Sequence, residues 1–241
     1  MTQRFEPRRK FLRRVFAIVP ASALTSAMVV TESACSASSP SDQKISSVDG
    51  YSPTYFTDDE WAFISAAVDQ LIPSDQYGPG ALETGVPEYI DRQMETPYGH
   101  GKLWYMHGPF HPEASPELGF QLSLTPRDVY RLGIEECNVW CVKRYGKGFA
   151  DLDAKTQVIL LEKLEAGEVE LDTVPSKLLF HNLLQHAKEG YLADPMYGGN
   201  KDMAGWKMIG FPGARADFMD WVGQTGVKYP LGPVSILGEQ S

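Results

Sequence analysis

Apolar residues recur at helical spacing in this chain, and alternating runs of Val, Ile and Thr hardly occur, so the sequence is confined to an all-α fold. Thr57-Asp58-Asp59-Glu60 is a capping box, in which the Thr hydroxyl and the Glu carboxylate satisfy backbone amides left free by the first turn. Behind it Trp61, Ile64, Val68 and Leu71 fall on one face, and Pro73 closes the helix. Pro87 suits the start of a short helix carrying Tyr89, Ile90 and Met94. Thr125-Pro126-Arg127-Asp128 opens a longer helix with the stripe Tyr130, Ile134, Cys137, Trp140 and Cys141, and Gly146 suits its end. A further helix runs from Asp153 to Leu164 with Val158, Leu161 and Leu164 inward. Another, Pro175 to Lys188, carries Leu178, Leu179, Leu183 and Leu184, and Ala214 to Val222 makes a last short one. Between them lie two stretches rich in Gly, Pro and aromatic residues, 96–124 and 190–213. Loops of such length inside a compact domain usually serve a function or are bound by something. The expectation is one helical domain over residues 51–241, without internal repeats, with ordered loops on one side.

The amino terminus makes a different demand. Arg8-Arg9-Lys10-Phe11-Leu12 followed by Arg13-Arg14 matches the core of a twin-arginine export signal, usually Ser/Thr-Arg-Arg-x-Phe-Leu-Lys, with Pro7 and Arg13 as departures. The mildly apolar stretch Val15 to Val30 is broken by Pro20, Ser22, Thr25 and Ser26. A membrane span needs about 20 predominantly apolar residues, so this stretch suits a signal h-region instead. Residues 1–37 are therefore expected to be a twin-arginine signal peptide cut near its end, and 38–50 a flexible leader rich in Ser, Pro, Asp and Gly. Cys35 follows Ser33-Ala34 as a lipidated cysteine would, but Glu32 stands where such a site wants an aliphatic residue. The expected destination is the periplasm. Residues 1–37 carry six basic and two acidic groups, so without them the formal charge falls from −9 to −13. An acidic body of this kind repels nucleic acid and anionic headgroups, which excludes nucleic-acid binding.

The sequence carries few marks of a chemistry of its own. No glycine-rich dinucleotide or phosphate loop follows a strand pattern, so neither flavin nor nicotinamide is expected on this chain alone. No Cys-x-x-Cys-His is present for c-type haem, and three cysteines cannot build a four-thiolate cluster. Cys137 and Cys141 sit i, i+4 on a helix, as two buried thiols or as a candidate disulfide with local helix distortion. His107 and His111 have metal-compatible spacing but no acidic companion, while His181 and His186 diverge on a helix. Satisfied or exposed histidines are expected, no metal site is assigned, and no pair of carboxylates can be placed together as acid and base.

One segment is distinctive. Residues 189–213 concentrate Gly, Pro and aromatics: Asp194-Pro195 starts a turn, Gly198-Gly199-Asn200 permits positive φ, and Tyr191, Tyr197, Trp206 and Phe211 supply large amphipathic surfaces. The run Asp194-Pro195-Met196-Tyr197-Gly198-Gly199-Asn200, then Gly205-Trp206 and Ile209-Gly210-Phe211-Pro212-Gly213, resembles the gluconate 2-dehydrogenase subunit 3 family. Phe56 to Pro73 and Gly85-Val86-Pro87-Glu88-Tyr89-Ile90-Asp91 are similar to that family's helical opening. The resemblance implies a small subunit without a redox centre. FAD would then sit in a large partner subunit that oxidises a sugar or sugar acid, haem c in a multihaem cytochrome subunit, and the twin-arginine translocase would carry the small subunit with the folded flavoprotein. It also implies a partner interface at Asp194, Pro195, Tyr197, Gly198, Gly199, Asn200, Trp206, Phe211, Pro212 and Gly213. Two other readings stay open: a subunit lending residues in trans to the partner's active site, and a free-standing periplasmic binding protein.

Overall fold

A computed structural model describes residues 50–240. Arg8, Arg9, Phe11 and Leu12 of the export signal, Cys35 and most of the leader lie outside the described residues. The described residues form six α-helices and no strand: α1 Asp58–Leu71, α2 Val86–Met94, α3 Pro126–Tyr145, α4 Ala154–Ala166, α5 Ser176–Leu192 and α6 Ala204–Ile209. Short 3₁₀ segments lie between and after them, among them Phe149–Asp151, Pro195–Tyr197, Lys201–Met203 and Ala216–Trp221. None of the described helices is long and apolar enough to cross a membrane.

The helices begin and end where local chemistry requires. Thr57 caps α1 with a full box: its own amide donates to Glu60 Oε2 at 2.8 Å, and the Glu60 amide donates to its hydroxyl at 3.4 Å. Thr125 caps α3 in the same way with Asp128 in the reciprocal role. Gly146 and Gly167 end α3 and α4 at φ 75° and 78°, the left-handed region that costs a side-chain-bearing residue about 1 kcal/mol or more.

Helix α5 is the hub, packed against α1, α2, α3 and α4. Its Leu179 and Leu183 are buried with Phe63, Ile64, Ile90, Ile134, Leu160 and Leu164. The α3–α5 approach is close: a Cβ on Gly133 would lie 3.1 Å from Leu179 Cδ1. The 3₁₀ turn after α3 puts Phe149 against Phe63, with ring centroids 4.6 Å apart. Three expectations need correction. Val158, expected to face inward, is only half-buried, because Gln157 and Leu160 take the inward positions of α4. Helix α5 also runs to Leu192 rather than Lys188. Residues 216–221 form a 3₁₀ segment, not an α-helix.

The entry to the domain hangs on one carboxylate. Asp91 on α2 is fully buried and accepts five hydrogen bonds, from Tyr51 Oη, from the Thr54 amide and hydroxyl, and from the amides of Tyr55 and Phe56. These bonds fix residues 51–56 across α2 and set the start of α1.

Candidate functional site

The 194–213 segment begins as the α5 helix ends. Ala193 is extended, so Asp194 turns back: its Oδ1 accepts from the Met196 amide at 3.1 Å and its Oδ2 from the Ile236 amide at 2.7 Å. One carboxylate thus shapes the turn and tethers a distant segment. Gly198, at φ 97°, lets the chain lie over α2, where a Cβ would come 3.0 Å from Arg92 and Glu88. Gly199 admits no side chain at all, since a Cβ would stand 2.2 Å from the Gly190 carbonyl oxygen.

Asn200 follows at φ 48°, a left-handed position that Asn tolerates better than most residues. Its side chain is completely buried and bridges two backbone stretches. Oδ1 accepts from the Gly205 amide, and Nδ2 donates to the Ala193 carbonyl, both at 2.8 Å. Lys201 fastens the turn to α2: its amide donates to Thr84 O at 3.0 Å and its ammonium pairs with Glu88 at 3.2 Å, Glu88 also pairing with Arg92. Gly205 passes so near Tyr191 that a Cβ would lie 2.2 Å from its carbonyl oxygen. Trp206 then buries its ring and donates Nε1–H to Leu192 O at 2.7 Å, with Phe211 edge-on at 5.2 Å.

The motif therefore divides. Asp194, Gly198, Gly199, Asn200 and Trp206 are buried and present no side chain to a partner; they shape the surface from beneath. Pro195, Pro212 and Gly213 are half-buried. Tyr197 and Phe211 are each 46% exposed, and Leu192, Met196, Met208 and Ile209 are exposed beside them in sequence. Tyr191, expected in the loop, is in fact a buried residue of α5 whose hydroxyl donates to Pro79 O at 2.8 Å. Monomeric surfaces rarely gather so many large apolar side chains in one segment unless something covers them.

Among the described residues no three His, Cys, Asp or Glu side chains are placed to hold a metal ion. His107 and His111 are exposed, His111 lying 3.1 Å from Glu113, and His181 is exposed on α5. The candidate disulfide is not formed: Cys137 and Cys141 are both buried free thiols, as i, i+4 spacing on an unbroken helix holds Cβ atoms about 6 Å apart against roughly 3.8 Å in a disulfide. A hydrogen bond between the thiols, together with burial, pushes Cys137 up, and the same bond draws Cys141 down.

His186 is the buried histidine, held between Tyr98 Oη at Nε2 and Tyr130 Oη at Nδ1, each at 2.7 Å. A neutral ring has one donor and one acceptor, so one tyrosine donates while the other accepts. Burial first, then the nearby His181, lowers its pKa to about 4. The ordinary value is about 6.5, so on acidification the unfolded chain takes up this proton before the folded one does. Stability from this site is present above pH 6.5 and falls as the pH drops toward 4. Unfolding midpoints recorded across that window should decline more steeply for the wild type than for His186→Gln, which keeps a neutral donor and acceptor but cannot titrate.

Sequence reasoning gave no role to Asp91 and Glu88, whereas His186, expected to be a satisfied or exposed histidine, is satisfied by its two tyrosines. The first two lie in the Gly85–Asp91 run, whose polar residues at buried helical positions were the available signal. A family model for gluconate 2-dehydrogenase subunit 3 matches residues 58–213. No curated protein and no solved structure matches the chain.

Proposed function

We propose, from the premise that the chain belongs to the gluconate 2-dehydrogenase subunit 3 family, that it is the non-catalytic small subunit that escorts a flavoprotein. In this reading the large subunit binds FAD and oxidises gluconate or a related sugar or polyol, and a multihaem cytochrome c subunit passes the electrons on. The small subunit contributes the export signal and a docking surface. The observation that carries the reading is the extent of the family match, from the first turn of α1 to the end of the Asp194–Gly213 motif. The apolar rim above that motif supports it, with Tyr197 and Phe211 as aromatic anchors of the kind that dominate protein interfaces.

The twin-arginine residues give the escort idea a physical reason. A flavoprotein that acquires FAD in the cytoplasm must cross the membrane folded, and Arg8 and Arg9 on an attached chain would supply the route. The complex would then work at the periplasmic face of the inner membrane. Replacing Arg8 and Arg9 together by Lys should abolish most dehydrogenase activity toward an impermeant electron acceptor in intact cells, while flavoprotein accumulates inside. Unchanged activity at the outer face would overturn the escort role.

A further inference from the structure

Beyond Gly213, where the family match ends, the chain makes an excursion that the helical body does not absorb. Its two limbs are clasped at the base. The Ala214 amide donates to Val234 O at 2.8 Å, the Val234 amide to Pro212 O at 3.2 Å, and Arg215 Nε to Gly232 O at 2.6 Å. Between the limbs no residue from 214 to 232 is buried. The loop is organised by its own aromatics: Tyr229 meets Phe218 and Trp221 edge-on at 5.2 and 5.6 Å, and its hydroxyl donates to Asp217 at 2.9 Å. Met219, Val222, Val227 and Leu231 are all exposed, Met219 to 76%.

Ordering a loop of this length costs about 1–2 kcal/mol per residue in backbone entropy, and burial within this chain returns little of it. Exposed apolar side chains on an ordered scaffold mark a contact surface. We propose that residues 216–231 form a docking arm that seats in an apolar recess on the flavoprotein subunit, a second grip apart from the Tyr197–Phe211 rim. The inference rests on the subunit role proposed above. Three observations select that occupant. The family is named as a subunit, so its partners are other chains of a dehydrogenase. The base of the arm is joined to the motif: Val234 contacts Pro212 and Ala214, and the Ile236 amide is held by Asp194, so one partner can cover both surfaces. The chain is acidic at −9, and the arm itself holds Asp217 and Asp220 against Lys228, which disfavours an anionic membrane or a second copy of the same chain. A recess with a basic rim fits.

The test co-expresses the full tagged chain with the flavoprotein subunit of its complex and measures the flavin absorbance that co-purifies. Two variants are compared: Met219→Asp with Val222→Asp, and replacement of residues 216–231 by a short Gly-Ser linker across the Arg215–Gly232 clasp. Each should retain the helical circular dichroism and unfolding midpoint of the body while weakening flavoprotein capture at least about tenfold, equivalent to about 1.4 kcal/mol. In the wild-type complex, arm amides should gain protection from hydrogen exchange. Capture by both variants at the wild-type level overturns the arm and leaves the subunit role standing. A wild-type chain that captures no flavoprotein overturns the role itself. Arm-dependent binding to anionic lipid vesicles, or an arm-dependent homodimer in light scattering, also overturns the proposal.

Discussion

Asp91→Ala is expected to lower the unfolding free energy by about 4 kcal/mol, a large effect for one substitution. Five donors converge on this carboxylate, and the amides of Tyr55 and Phe56 belong to buried residues. Removing the acceptor strands those amides without water, at about 1–3 kcal/mol each. Thr54 is exposed and its two donors can find solvent, which is why the loss stays below five full bonds. The damage should reach further than the site, since residues 51–56 set the capping box at Thr57 and the first turn of α1. Asp91→Asn retains one acceptor oxygen and should lose roughly half as much. Urea unfolding of both variants measures the difference; a loss under about 1 kcal/mol for Asp91→Ala would mean that the entry segment is held mainly by other contacts.

Asn200→Leu should cost about 3 kcal/mol by a related route. The side chain is fully buried, and Leu of similar size leaves the Gly205 amide and the Ala193 carbonyl unpaired. Leu must also adopt φ 48°, which Asn tolerates better. The loss should extend to capture of the flavoprotein, because Asn200 holds Gly205 and so positions Trp206, against which Phe211 packs. Asn200→Asp separates the two hydrogen bonds. Its carboxylate still accepts from Gly205 but faces the Ala193 carbonyl, which raises its folded pKa above the unfolded value. That variant should therefore be more stable below the ordinary carboxylate range and lose stability as pH rises through the raised value. A pH-independent deficit would show that Nδ2–H adds little.

Both residues illustrate what could be read from the chain. Thr57 with Glu60 and Gly146 as a helix end were legible because capping involves neighbours three or four residues apart. The inward faces were read less well. Val158 falls on an inward face by period, yet which side of a helix is covered depends on where the other helices pass, and α5 alone meets five of them. The motif was recognised as a unit, but its density of Gly, Pro and aromatics suggested an outer contact surface. Much of it proved to be internal joinery: Gly199 and Gly205 are fitted to carbonyls of α5, and Trp206 to another.

The sequence by itself determined the helical class, the principal helix boundaries and the family, because each rests on local spacing or on a contiguous run of residues. Only the tertiary structure decided which polar groups are buried together. Asp91 meets donors 35–40 residues away, and His186 meets Tyr98 and Tyr130 across 88 and 56 residues. The tertiary structure also decided which motif residues reach the surface. Such partners are selected by the free energy of satisfying every buried polar group at once, and no local pattern encodes that sum.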